Sequence, residues 1–283
     1  MLELKPDHTL TDSLKFPEGP RWRDGRLFVS DMGSQRVVAI SPDGESETVV
    51  DVPESPSGLG WLPDGRLLIA SMNDRKLFRL EAGRLVEHAD LSQTFAYPAN
   101  DMVVDSKGRA YVGNFGFSLA QGITPAPTCM AMVGTDGTVE IAATDLIFPN
   151  GTVIDPAGNQ LIVAETWGHR LTSFSISADG SLSGREIFAD LGARTPDGIA
   201  LDASGAVWTA CFEQGEFVRV ERGGTLSARV PARGRNALAC MLGGDDLRTL
   251  YTLSVDNIEN MAEGRSKGFV EAVRVDIPGA GLP

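Results

Sequence analysis

Apolar residues in this chain come in short runs fenced by Gly, Pro, Asp and Asn. Leu27-Phe28-Val29, Val37-Val38-Ala39-Ile40, Leu67-Leu68-Ile69, Ala110-Tyr111-Val112, Leu161-Ile162-Val163-Ala164 and Leu250-Tyr251-Thr252-Leu253 are of this kind. Runs this short, rich in β-branched and aromatic residues and bounded by turn formers, predict strands rather than helices. The fences at Asp24-Gly25 and Asp64-Gly65 are hairpin chemistry, because such turns need positive φ where glycine costs least. No amphipathic helix of any length is legible, which removes the α/β classes.

The runs repeat as a unit: a proline turn, an apolar strand, an Asp-Gly type turn, a second strand, a polar loop, a third strand. Copies open at Phe16-Pro17-Glu18-Gly19, Ser55-Pro56-Ser57-Gly58, Tyr97-Pro98-Ala99-Asn100, Phe148-Pro149-Asn150-Gly151 and Thr195-Pro196-Asp197-Gly198. A weaker sixth copy opens near Arg235-Asn236-Ala237. The prolines at 17, 56, 98, 149 and 196 are spaced by 39, 42, 51 and 47 residues. Each interval holds about four short strands, the length of one propeller blade. The expected fold is therefore all-β: one six-bladed β-propeller domain over residues 1–283, with four-stranded antiparallel blades around a central channel. A ring leaves only short protected sheet edges. Residues 8–15 precede the first copy and can add an outer strand to the last blade, near Val270–Asp276, which would close the ring.

The informative positions of a repeat are those where its copies differ. Directly after the turn proline stand Glu18, Ser57, Ala99, Asn150 and Asp197, with Asn236 at the corresponding place in the sixth copy. This position opens the innermost strand, so a propeller turns residues about 40 apart into neighbours around an axis. Glu18, Asn150 and Asp197 should converge, joined by Asn100 from one place later in the third copy. Asn-Gly and Asp-Gly also serve as plain turn formers, but Glu does not. Two carboxylates with amide oxygens make a hard oxygen site for one divalent metal ion, calcium first, with magnesium, manganese, zinc or iron also admitted. Such an ion neutralises the −2 of Glu18 and Asp197, which would otherwise repel.

Composition narrows the partners. The net charge is −13 over 283 residues, which opposes nucleic acid and anionic membrane surfaces, since both are bound through basic patches. Cys129, Cys211 and Cys240 are odd in number and widely spaced, giving neither a disulfide framework nor a thiolate zinc site. No apolar run approaches the ~18 residues of a membrane span, and residues 1–16 lack the apolar stretch of a signal peptide. The expectation is a cytoplasmic protein acting on a small molecule.

Taken in order, Phe16-Pro-Glu-Gly-Pro-Arg-Trp22, Phe148-Pro-Asn-Gly151 and Pro196-Asp-Gly-Ile-Ala-Leu-Asp202 resemble the SMP-30/gluconolactonase/luciferin-regenerating-enzyme family. The resemblance covers nearly the whole chain. It implies a six-bladed propeller, a metal held by Glu18, Asn150 and Asp197, Asp197 as catalytic base, Asn100 beside metal and substrate, and hydrolysis of a small lactone. One departure stands out: sugar-lactonase members usually carry Arg two residues before the Asn that is Asn100 here, and this chain has Pro98. The blade hairpins place Met32, Met72, Phe115, Trp167 and Phe212 around the same mouth. If they line it, the pocket suits a substrate less polar than an aldonolactone.

Two other readings remain open on sequence: a metal-dependent phosphotriesterase with Asp197 attacking phosphorus, and a non-catalytic binding platform with a structural cation. Gly264-Arg265-Ser266-Lys267-Gly268 matches the serine-hydrolase string G-x-S-x-G, but that motif needs a strand before it and a helix after it, whereas here a strand pattern follows. His8, His88 and His169 lie in polar flanks or a turn and are not expected as bases. Asp31 and Glu165, at strand ends near the mouth, are expected either to support the site or to be solvated rather than to act in it.

Overall fold

The computed structural model describes residues 1–118, 121–258 and 264–281. Among these, six sheets form from consecutive strands, each beginning at one of the copies seen in sequence. The innermost strands are Pro17–Arg23, Pro56–Trp61, Ala99–Val104, Pro149–Ile154, Pro196–Leu201 and Asn236–Gly243. Each lies beside the innermost strand of the next blade, and the sixth returns to the first, so the ring closes. The fold is the six-bladed β-propeller.

Closure is made by the N-terminal segment. The strand His8–Leu14 pairs antiparallel with Gly268–Arg274 as the outermost strand of blade six, as expected from sequence. A further strand, Leu2–Glu3, pairs in parallel with Leu226–Pro231 and gives blade five a fifth strand. The segment ahead of the first repeat thus fastens blades five and six to the start of the chain.

Most middle strands are buried along their whole length, for example Leu67–Ser71, Ala110–Asn114 and Val207–Cys211. A blade has a neighbour on both faces, so its central strands read as continuous apolar runs rather than alternating ones. The core is divided into six interblade slabs. Leu68, Ala70 and Leu77 of blade two meet Met102, Val112 and Val133 of blade three in one of them. Leu14, Leu27 and Val29 meet Leu253 and Val270 in the slab that seals blade six to blade one. At Asp24-Gly25 both residues have positive φ, 51° and 74°, as a type I′ hairpin turn requires.

Candidate functional site

All six innermost strands carry a β-bulge at their start. In blade one the strand advances three residues from Glu18 to Arg21 while its partner advances two, from Ser30 to Phe28. The same extra residue follows Pro56, Ala99, Pro149 and Pro196, and in blade six it falls after Ala237. A bulge re-aims the side chain beside it, and here it does so at the same end of all six strands.

Strand pairing fixes which residues are equivalent. Pro17, Pro56, Ala99, Pro149, Pro196 and Asn236 each oppose the last residue of the neighbouring strand or its counterpart: Asp31, Ser71, Asn114, Glu165, Cys211 and Val255. The next position is therefore Glu18, Ser57, Asn100, Asn150, Asp197 and Ala237. This corrects the alignment read from sequence in two blades. In blade three the proline sits one residue early, so Asn100 rather than Ala99 holds the register. In blade six Asn236 takes the proline position, its amide donating to the Phe212 carbonyl at 3.2 Å, and Ala237 after it packs into the apolar slab between blades five and six.

Glycine follows at 19, 58, 151 and 198 because adjacent innermost strands leave no room for a side chain. A Cβ on Gly19 would lie 2.4 Å from the Ser57 carbonyl oxygen, and one on Gly198 2.4 Å from the Ala239 Cβ. These contacts are with backbone or with the first side-chain carbon, which cannot swing away. The close approach is what draws the preceding residues together.

Glu18 and Asn150 both lie near enough to Asp197 to act on its carboxyl. The Asn150 side chain lies near enough to favour the ionised form of Asp197, and its Nδ2 donates to Thr166 Oγ1 at 3.2 Å. Burial, and then the charges of Glu18 and Asp101, push the Asp197 carboxyl well above the usual carboxylate range. Burial and the nearby Asp101 push Glu18 up to about 8, against a single opposing hydrogen bond from the Gly19 N–H at 3.3 Å. Asn100 is buried between blades two and four, accepting from Ser57 Oγ and donating to the Pro149 carbonyl, both at 3.4 Å. Among the described residues neither Glu18 nor Asp197 has a Lys, Arg or His partner.

One layer outward the chain turns, and the residue at that turn is equivalent in five blades. Met32, Met72, Phe115, Thr166 and Phe212 each donate their N–H back to the residue before or just before the innermost strand. Met32, Met72, Phe115 and Phe212 join Phe16 and Leu238 in one apolar cluster. Trp167 stands outside it, one place beyond Thr166, with its ring edge-on to His169 at 6.5 Å and its buried Nε1–H without a hydrogen-bond partner among the described residues. Phe117 and Phe148, not singled out in sequence, pack on Phe115 with ring centroids 4.7–5.5 Å apart.

The supporting residues are fully engaged. The Asp31 carboxylate accepts from the Lys15 and Phe16 N–H groups at 2.8 and 3.1 Å, and Glu165 accepts from Arg170 at 2.8 Å and from the Ile147 N–H at 2.9 Å. His88 meets the Gly134 carbonyl and His169 the Arg194 carbonyl. The strand Gly268–Arg274 follows Ser266, so the serine-hydrolase string lacks its helix; residues 259–263 before it lie outside the described residues.

A pair that sequence reading passed over completes the channel. Arg21 of blade one reaches Asp101 of blade three at 3.1 Å, and both side chains are buried. The signal was available. Asp101 stands where four other copies have Gly, and Arg21 stands where the others have Gly60, Val103, Val153, Ala200 and Cys240.

Fold and site together define a class: a propeller that gathers carboxylate and amide oxygens from separate blades at one end of its channel. Residues 16–256 match the family model described as SMP-30/Gluconolactonase/LRE-like region, and the chain belongs to that family. It is 28% identical to the 6-deoxy-6-sulfogluconolactonase of Pseudomonas putida, over 94% of this chain and 93% of that one. It is 27% identical to pentonolactonase XacC of Haloferax volcanii, covering 96% and 94%. Among solved structures it resembles a calcium-binding protein, regucalcin, of Agrobacterium tumefaciens, with a TM-score of 0.83 at 22% identity, covering 100% and 98%.

Proposed function

We propose that this chain is a divalent-metal-dependent lactonase. The observation that carries the reading is the shared bulge register of Glu18, Asn100, Asn150 and Asp197, which brings two acids and two amides to one end of the channel. The donor set suits a cation on chemical grounds. Two largely desolvated carboxyls with raised affinity for protons and no cationic partner among the described residues are what a site looks like when its counter-charge is a bound ion. Among the described residues no three His, Cys, Asp or Glu side chains gather as ligands, so an ion here depends on amide oxygen as well. Hard oxygen donors favour calcium, magnesium or manganese. Glu18, Asn150 and Asp197 would hold the ion, which when bound supplies Lewis-acid polarisation of the lactone carbonyl.

The remaining chemistry belongs to the chain. Asp197 accepts a proton from water as the water oxygen bonds to the acyl carbon. The ring C–O bond then breaks, and the leaving alkoxide takes that proton from Asp197, giving the hydroxy acid. Asn150, beside Asp197, favours its ionised form. Asn100 presents a buried amide for substrate or water. The relatives named above act on sugar lactones by name, but two features here favour a less polar ring: the apolar cluster of Met32, Met72, Phe115 and Phe212, and Pro98 where the sugar-lactonase pattern has Arg.

The test is a panel of gluconolactone, pentonolactones and alkyl γ- and δ-lactones, assayed by proton release with calcium, manganese or zinc. Turnover of at least one lactone, abolished by chelation and cut roughly 10²–10⁴-fold in Asp197→Asn, is expected. No turnover of any lactone, or full activity in Asp197→Asn, would remove the proposal.

A further inference from the structure

The Arg21–Asp101 pair has no counterpart in the other blades, and its placement gives it a role at the ion site. Arg21 Nη1 donates to the Pro20 carbonyl at 2.8 Å, and Nη2 donates to Asp101 Oδ1 at 3.1 Å and to the Met102 carbonyl. The guanidinium therefore links blade one directly to blade three. Asp101 in turn accepts the Met102 N–H at 2.8 Å, and the Thr152 backbone of blade four also favours its ionised form. Asp101 is close enough to Glu18 and Asp197 that its charge acts on both. Beyond it, Arg21 lines a partly open cavity of about 70 Å³ with Trp22, Thr152 and Leu242, toward the far end of the innermost strands. Arg21 is thus the floor between the carboxylate cluster and that cavity.

We propose that Arg21 is a positioning residue that withdraws Asp101 from the donor set and holds the channel at a charge matched to one divalent ion. The inference rests on the reading of the channel mouth as an ion site. With all three ionised, Glu18, Asp101 and Asp197 would sum to −3, and the guanidinium fixed on Asp101 reduces that sum to −2. A third free carboxylate would over-neutralise a divalent ion and weaken its pull on a substrate oxygen. The pair also has a structural cost if broken, since a buried charge left alone is strongly unfavourable. A purely structural role and an electrostatic one make opposite predictions for ion affinity.

The experiment is a charge cycle on the full-length protein, stripped with chelator and titrated with Mn²⁺, with free ion read by electron paramagnetic resonance and folding by circular dichroism. With the ion as probe, the channel charge is −2 in the wild type, −3 in Arg21→Met, −1 in Asp101→Asn and −2 in the double variant. At short range in a partly desolvated channel, each unit charge is worth roughly tenfold in affinity. Arg21→Met should therefore bind Mn²⁺ about tenfold more tightly than wild type, Asp101→Asn about tenfold more weakly, and the double variant and Arg21→Lys should return near wild type. Unchanged or weaker binding in folded Arg21→Met overturns the proposal and leaves the lactonase reading standing. If Arg21→Met does not fold, wild-type affinity in Asp101→Asn overturns it instead. A wild type that binds no Mn²⁺ overturns both.

Discussion

Replacing Glu18 with Gln should stabilise the metal-stripped protein and destabilise the metal-loaded one. Without an ion, the Glu18 carboxyl is pushed up to about 8 from an ordinary 4.5, first by burial and then by Asp101. Below pH 4.5 the group is protonated in both folded and unfolded chains and costs nothing. As pH rises toward 8 the unfolded chain ionises and the folded chain does not, so stability falls; above 8 both ionise and the loss levels off. At about 1.36 kcal/mol per pH unit, the roughly 3.5 pH units between those values set a ceiling of about 5 kcal/mol. Glu18 retains some exposure, so an effect of about 2–3 kcal/mol is expected. Gln has the same shape and no charge, and lacks this slope. In chelator, the Tm of wild type minus that of Glu18→Gln should therefore drop by about 5 °C between pH 5 and pH 8. With an ion at a hundred times its Kd, wild type regains about 2.7 kcal/mol and the order of the two proteins reverses. Differential scanning fluorimetry at four pH values, with and without calcium, measures both. Parallel wild-type and variant profiles in chelator, or no reversal on adding the ion, would refute the reasoning.

Gly198→Ala should cost about 2 kcal/mol or more, read by chemical denaturation, because its Cβ would meet Ala239 Cβ at 2.4 Å and Cα at 2.6 Å with no space to yield; a neutral result would mean the innermost strands are not so close. Leu14→Ala removes a side chain 1% exposed in the closing strand, and a loss of about 3 kcal/mol in denaturation is expected, whereas a strand that merely lies on the surface would lose almost nothing. Phe115→Ala should raise KM for an alkyl lactone about tenfold with little change in kcat, since it removes apolar contact made equally in ground and transition states; an equal loss in kcat would place Phe115 in the reaction itself.

Much of this protein was legible before any coordinates. Proline turns at near-blade spacing, short apolar runs and Asp-Gly fences specified six antiparallel units, because turn chemistry and strand period are local properties of a few residues. The closing strand at residues 8–14 was legible too, since a ring needs its last edge covered and only the leading segment was unassigned. Glu18, Asn150 and Asp197 stood out as repeat positions that change chemistry. What local pattern could not give was the bulge. A bulge is defined by counting residues on one strand against its partner, so only the paired structure put Asn100, and not Ala99, in register, and Ala237 in place of Asn236. The same holds one layer out, where Thr166 rather than Trp167 is the equivalent of Met32 and Phe115. Arg21 and Asp101 lie eighty residues apart, and nothing in either neighbourhood announces the other. Their meeting is decided by ring closure, which brings a guanidinium to a carboxylate that burial would otherwise leave without a counter-charge.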